Sequence, residues 1–474
     1  MTLNRTGPYA ALLAVLTPAM LATVVASDMV NLMLPSIGTA FGASEAELAW
    51  VVTGFLLMFS VGIPLYGRIS DRVSLPRLFG FGLLAYAAGS LICALAPDLR
   101  VLVAGRMVMG VGAAAIPVLS IIAVTRLMPA DRRGIGIGVV SAATGVGTAA
   151  GPAVGGGVGQ ALGWRALFWI MLVIALALLP AAWRVLPAKS PARAARYDLA
   201  GGVLLGLGAG LVLFGITQAQ VAGPGAPASW GSIVAAVAAI ALFCWRTGRV
   251  AEPFLPPTLF TNRVYRAAIA VAFLAMVVNL GALVFVPLLL IDVNGLEPGT
   301  GALVMIPAGV AVAALSPLIG RLADRAGTRY LVLAGLTAMG GFALFLSTVA
   351  GGASVVPASV GMLGLGVGFI LVITPIISAA ATALPADQVG VGIGILQGAQ
   401  FLGAGAGPAL VGVLVAARQQ GGTAVNPLHF GYEGAAFSDA FLAMAATIVL
   451  ALIVAFRMRP AAAPVTKPNV EKAN

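Results

Sequence analysis

The chain has 474 residues, of which 60% are hydrophobic and only 9% charged, with a formal net charge of +11. A soluble domain carries about 25% charged residues, so this composition excludes a soluble globular fold and points to a polytopic membrane protein. The basic residues sit at the ends of apolar runs rather than in a cluster, which argues against nucleic acid. Cys93 and Cys244 lie in apolar runs and His429 stands alone in a polar loop, so no disulfide framework, zinc site or paired haem ligands are expected.

A bilayer core about 30 Å thick takes about 20 helical residues. Apolar runs of that length lie near 9–35, 46–67, 77–96, 99–126, 134–160, 164–186, 198–219, 230–248, 265–292, 299–322, 329–350, 355–384, 388–417 and 437–457. The first run is too long for the core of a cleavable signal and leads straight into the second. Fourteen spans also satisfy the positive-inside rule. With a cytoplasmic N-terminus, 22 Lys and Arg fall in inner loops and 3 in outer loops, while Arg106 lies within a span. Both termini are expected in the cytoplasm.

Within the first run stands Asp28, where a carboxylate costs about 2.5–3.5 kcal/mol on insertion scales. Such a residue points to a proton or substrate site. Thr23, Ser27, Asn31 and Asp28 form a polar stripe at helical spacing. Asp28 lies seven residues before Pro35, taken as the outer end of span one, and Arg106 lies seven residues from the outer start of span four near Leu99. Both then sit about 10 Å below the outer surface, so an ion pair between them is expected.

Two loops repeat. Gly67-Arg-Ile-Ser-Asp71-Arg72, continuing to Arg77, follows the second span; Gly320-Arg-Leu-Ala-Asp324-Arg325-Ala-Gly-Thr-Arg329 follows the tenth. In each, Gly permits a tight helix exit and Asp is suited to cap a neighbouring helix N-terminus. The fifth span carries Gly147-x-x-x-Gly151-Pro152-x-x-Gly155-Gly156, and the thirteenth carries Gly403-Ala-Gly405-Ala-Gly407-Pro408. Glycines at this spacing form a groove for a neighbouring helix, and Pro152 can bend its own. The first six spans thus repeat as the last six. The expected fold is all-α: an N-terminal six-helix bundle over 1–187, a linker with two extra spans over 188–262, a C-terminal bundle over 263–460 and a disordered tail over 461–474.

These motifs resemble those of the major facilitator superfamily, in its fourteen-span drug:proton antiporter branch. The resemblance covers nearly the whole chain. It implies that the duplicated loops act as a cytoplasmic latch favouring the outward-open state, that the span-five motif marks exchange, and that Arg106 takes part in proton coupling. The first loop departs from the pattern at Ser74 and Leu75-Pro76, so a weaker latch is expected there, and Met109 replaces the usual Gln. Many fourteen-span pumps place their acid nine residues before the span-one Pro, which is Ala26 here. The order Asp28 to Pro35 is more similar to the tetracycline-type subgroup, and a one-residue shift turns a side chain by about 100°, leaving the face of Asp28 open. Thr148 and Ala404 stand where that subgroup can carry further acids.

The chain is therefore expected to be a proton-coupled efflux transporter of lipophilic or cationic small molecules, working by alternating access as a monomer in a bacterial-type plasma membrane. Asp28 and Arg106 are the proton-coupling pair. Asn31, Phe55, Met109, Asn279, Gln397, Gln400 and Phe401 are candidate cavity residues, since aromatics and Met re-pack around different ligands. No cofactor or metal is expected beyond the coupling proton, and no nucleotide motif is present. Export of an endogenous metabolite is the alternative. A non-transporting membrane receptor is the reading from another class.

Overall fold

The computed structural model describes residues 7–30, 33–43, 45–187, 198–223, 225–250, 252–295, 304–349, 355–385, 388–418, 423–429 and 434–457. Fifteen α-helices run through them. The N-terminal group is α1 (Gly7–Asp28), α2 (Leu34–Phe41), α3 (Glu45–Ile69), α4 (Leu75–Leu95), α5 (Leu99–Leu127), α6 (Arg133–Leu162) and α7 (Trp164–Val185). Next come α8 (Leu199–Ala222) and α9 (Pro227–Thr247). The C-terminal group is α10 (Arg263–Asp292), α11 (Met305–Ala326), α12 (Thr328–Val349), α13 (Val355–Ala383), α14 (Val389–Arg418) and α15 (Ala435–Phe456). Apart from the short α2, these are the fourteen expected helices in two bundles of six with two inserted. Thirteen are long and apolar enough to cross a membrane among the described residues. The other long one is α6, part of whose side chains lie outside them.

One boundary differs from expectation. The first helix ends at Asp28, not at Pro35, and Pro35 instead opens α2. A proline has no N–H to donate, so it suits the first turn of a helix, where the N–H would be unpaired. Met29 N still bonds Val25 O at 2.9 Å and Met33 N bonds Val30 O at 2.9 Å, so the chain turns within a short break. Asp28 thus stands at a helix terminus, where backbone carbonyls are free of helical partners.

Glycines let the N-terminal helices approach backbone to backbone. A methyl on Gly89 of α4 would lie 2.3 Å from Met109 N of α5, and one on Gly110 of α5 would lie 2.4 Å from Phe55 O of α3. α5 is therefore clamped between α3 and α4 and is buried along most of its length. That placement carries Arg106 to the centre of the bundle.

The two halves meet chiefly at one end, the end with the Gly67–Arg77 loop. There a methyl on Gly67 would lie 2.7 Å from Gly390 O of α14, and one on Gly320 of α11 would lie 2.0 Å from Gly134 O of α6. Gly138 of α6 fits as closely against Ser316 O of α11. Further along α6 the glycines turn from the partner half to their own: Gly147 meets Val24 of α1 and Gly159 meets Met33.

The inserted hairpin is not wholly peripheral. α9 is, with Trp230, Val234, Val237 and Trp245 exposed. α8 instead lies along the seam between the halves. Gly202, Gly206 and Gly210, one turn apart, receive Leu65, Val61 and Leu57 of α3, while Leu213 reaches Gly405 of α14. The first turn of α8 is fixed by Asp198, which accepts from Gly201 N at 2.9 Å and pairs with Arg246 of α9 at 2.6 Å. Gly206→Leu should overpack this contact and destabilise the protein by about 1–3 kcal/mol. A thermal melt in detergent measures it, and an unchanged midpoint would show that α8 does not bear on α3.

Candidate functional site

Arg106 is fully buried. Its Nε donates to Val51 O of α3 at 3.1 Å and its Nη1 to Ala26 O of α1 at 3.4 Å. Nη1 also lies 3.7 Å from Met109 Sδ, and the guanidinium stands 4.3 Å above the Phe55 ring. Nη2 has no partner among the described residues. A planar, permanently charged fork thus ties three helices through carbonyls, a thioether and a ring face. Ala26 is two residues from Asp28, so Arg106 reaches α1 at the level the sequence assigns to the acid. The Asp28 side chain lies outside the described residues, and so does Asn31.

An aromatic line leads from Arg106 across the seam. Phe55 stacks on Phe59 at 5.7 Å, and Phe59 meets Phe401 of α14 edge-on at 4.7 Å. Gln397 and Gln400 are buried beside Phe401, and Asn279 is half-buried on α10. Phe55 and Phe401 are thus linked through Phe59, and Met109, Gln397 and Gln400 are buried. Among these, Met109 packs on the arginine itself.

The first loop is engaged despite its departures from the repeat. Asp71 pairs with Arg126 at the end of α5 and accepts from Gly390 N at 3.0 Å and Val391 N at 3.1 Å, the first turn of α14. Arg126 Nη1 also donates to Ser70 O at 2.7 Å. Asp71 thus caps a helix of the other half and meets the positive end of its dipole. Arg72 pairs instead with Glu252 at 2.9 Å, and Arg68 Nη2 donates to Pro253 O at 3.4 Å, both in the segment leaving α9. Arg77 is exposed on α4 and forms no bond to Asp71. In the second loop Gly320 is packed against α6, and Arg329 reaches Phe456 O at 3.4 Å. The side chains of Asp324 and Arg325 lie outside the described residues. In α6, Gly147 and the buried Gly151 lie on a continuous helix, while the surroundings of Pro152, Gly155 and Gly156 lie outside them.

Sequence reasoning missed Arg126 and Glu252. Each reads locally as an ordinary loop charge, and only the fold shows its partner. At the start of α14, Gly390 leaves room for the capping carboxylate, since a methyl there would collide with Asp71 Oδ1.

Burial pushes the Asp71 carboxyl up to about 6 from 3.8, against Arg126, the Val391 and Gly390 N–H groups and Arg68, which pull it down. The latched form therefore holds its proton more tightly than an exposed loop. Proton binding favours closure: the gain is complete below pH 3.8 and is lost as pH rises through about 6. Spin labels at exposed Arg77 and Thr382 should report more closed molecules at pH 5 than at pH 7. Asp71→Asn should flatten that response, and an opposite slope would refute the linkage.

A family model described as Major Facilitator Superfamily matches residues 16–408. The chain is 31% identical over 391 residues to the multidrug resistance protein Stp of Mycobacterium tuberculosis (strain CDC 1551 / Oshkosh), covering 82% of this chain and 72% of that protein. It is 29% identical over 417 residues to the tetracenomycin C resistance and export protein of Streptomyces glaucescens, covering 87% of this chain and 77% of that one. The solved proton:xylose symporter XylE has the same fold, with a TM-score of 0.67 at 17% identity over 94% of this chain and 95% of that one. The chain belongs to the Major Facilitator Superfamily and is a multi-pass membrane transporter, not an enzyme, in the branch of these drug-resistance proteins.

Proposed function

We propose that the chain exports lipophilic small molecules in exchange for protons across a bacterial inner membrane, as a monomer with both termini in the cytoplasm. The observation that carries the proton step is the buried Arg106, bonded to α1 at Ala26, two residues before the one acid of that helix. Asp28 takes a proton from outside and releases it inside. Protonation removes its charge and weakens its attraction to Arg106, which frees α1 against α5. The drive is about 2.3 kcal/mol per charge per 100 mV, plus any pH gradient.

The arginine-rich loops support a cytoplasmic position for the Gly67–Arg77 end. With Asp71 seated on α14 and Gly320 on α6, that end is closed, which supports an outward-facing arrangement. Release of Asp71 would let the halves part there and admit substrate from the inner side. The relatives named above support export of drug-like compounds.

Inside-out vesicles containing the protein test this reading. An acid-inside gradient should drive substrate uptake, and a protonophore should stop it. Uptake that persists after the proton gradient is collapsed would overturn proton coupling.

A further inference from the structure

The two glutamines of α14 narrow the substrate class, an inference that rests on the export reading above. At about 100° per residue, the contacts of α14 sort into sectors around its axis. Gly390, Gly394 and Phe401 face α3, through Gly67, Ile63 and Phe59. Gly405 faces α8 through Leu213, while Gly403 and Gly407 face α10 through the Phe273 and Val277 carbonyls. Gln397 and Gln400 fall in the remaining sector, between α3 and α10 and away from α8. The exposed side chains of α14, Leu410 and Val413, lie on the other side of its axis, so this sector looks toward the interior of the bundle.

Both side chains are more than nine-tenths buried, at 4% and 6% exposed. Gln397 Oε1 and Gln400 Nε2 have no hydrogen-bond partner among the described residues. A buried amide atom without a partner is costly, and a ligand that supplies the partner recovers that cost. Either amide can present its oxygen or its NH₂ by turning over, so the pair offers an acceptor and a donor one turn apart. The Phe59–Phe401 contact beside them supplies ring faces and edges.

We propose that Gln397 and Gln400, with Phe59 and Phe401, recognise a planar aromatic substrate carrying a neutral hydrogen-bonding group, a phenol or a ring ketone. The rings stack on the substrate's plane while the amides pair with its oxygen. A bare hydrocarbon leaves both amides unpaired and is rejected for that reason. A fixed cation without donor or acceptor gains nothing from either amide.

The test is equilibrium binding to the full-length protein in detergent with three probes: alizarin, a hydroxylated anthraquinone; anthracene; and N-methylacridinium, a planar fixed cation with no hydrogen-bonding group. Alizarin should bind the parent protein most tightly. Gln397→Met and Gln400→Met keep side-chain volume, and each should weaken alizarin by about tenfold while leaving anthracene within about twofold. Gel filtration confirms that each variant is folded. Equal alizarin affinity in parent and variants, tighter binding of anthracene or N-methylacridinium than alizarin by the parent, or no alizarin binding at all would overturn the proposal. Binding is read without a pH gradient, so a failure of proton coupling leaves this result intact. Gradient-driven export of other compounds would likewise survive a failure here.

Discussion

Arg106→Ala is expected to abolish transport and to destabilise the protein by about 3 kcal/mol, the scale for deleting a large buried side chain and its hydrogen bonds. The substitution strips Val51 O and Ala26 O of their donor and removes the cation from the Phe55 face. It leaves a cavity where α1, α3 and α5 meet. Arg106→Lys separates charge from geometry. An ammonium keeps the positive charge at this position but cannot span two carbonyls on different helices with a rigid fork. Lys should therefore restore much of the stability and little of the transport. A melting curve and an efflux rate on the same preparations check this. Full transport in Arg106→Ala would show that the arginine only packs.

Asp71→Ala is expected to open the arginine-rich end. It leaves Gly390 N and Val391 N without their carboxylate and Arg126 without its ion pair. Truncating one partner of a buried, hydrogen-bonded charge pair costs about 2–5 kcal/mol. Arg126 is 23% exposed and can recover some hydration, which favours the lower part of that range. Even about 2.8 kcal/mol shifts the balance of closed to open by about 100-fold. Arg72→Ala should do much less, because its partner Glu252 is half exposed. Cysteine labelling at that end, compared across the variants, measures the order. Equal labelling of Asp71→Ala and the parent protein would mean that the glycine contacts alone hold the end shut.

The same residues show what was legible in the sequence. Helix number and order follow from apolar runs and arginine placement, because lipid forces every long apolar segment into a helix. The capping role of Asp71 was also legible, since a Gly-x-x-x-Asp loop after a span has few other uses. Which helix it caps was not, because Gly390 is 319 residues away and no local pattern links them. Pro35 misled for a definite reason. A proline near the end of an apolar run fits the end of one helix or the start of the next, and here it starts one. The place of α8 was hidden too. No local pattern in the sequence pairs its glycines with Leu57, Val61 and Leu65 of α3, which lie opposite them. Gln397 and Gln400 stood out as polar residues in an apolar span, and the fold adds that two of their atoms lack partners.

Proton release on substrate addition tests the central claim most directly. Protein reconstituted in vesicles with a luminal pH dye is given an active compound from outside, and the lumen should lose protons as the compound enters. Asp28→Asn, which keeps the side-chain volume and removes the titrating group, should abolish that release while the protein still binds the compound. Coupled proton release undiminished in Asp28→Asn, for every active compound, would contradict the account.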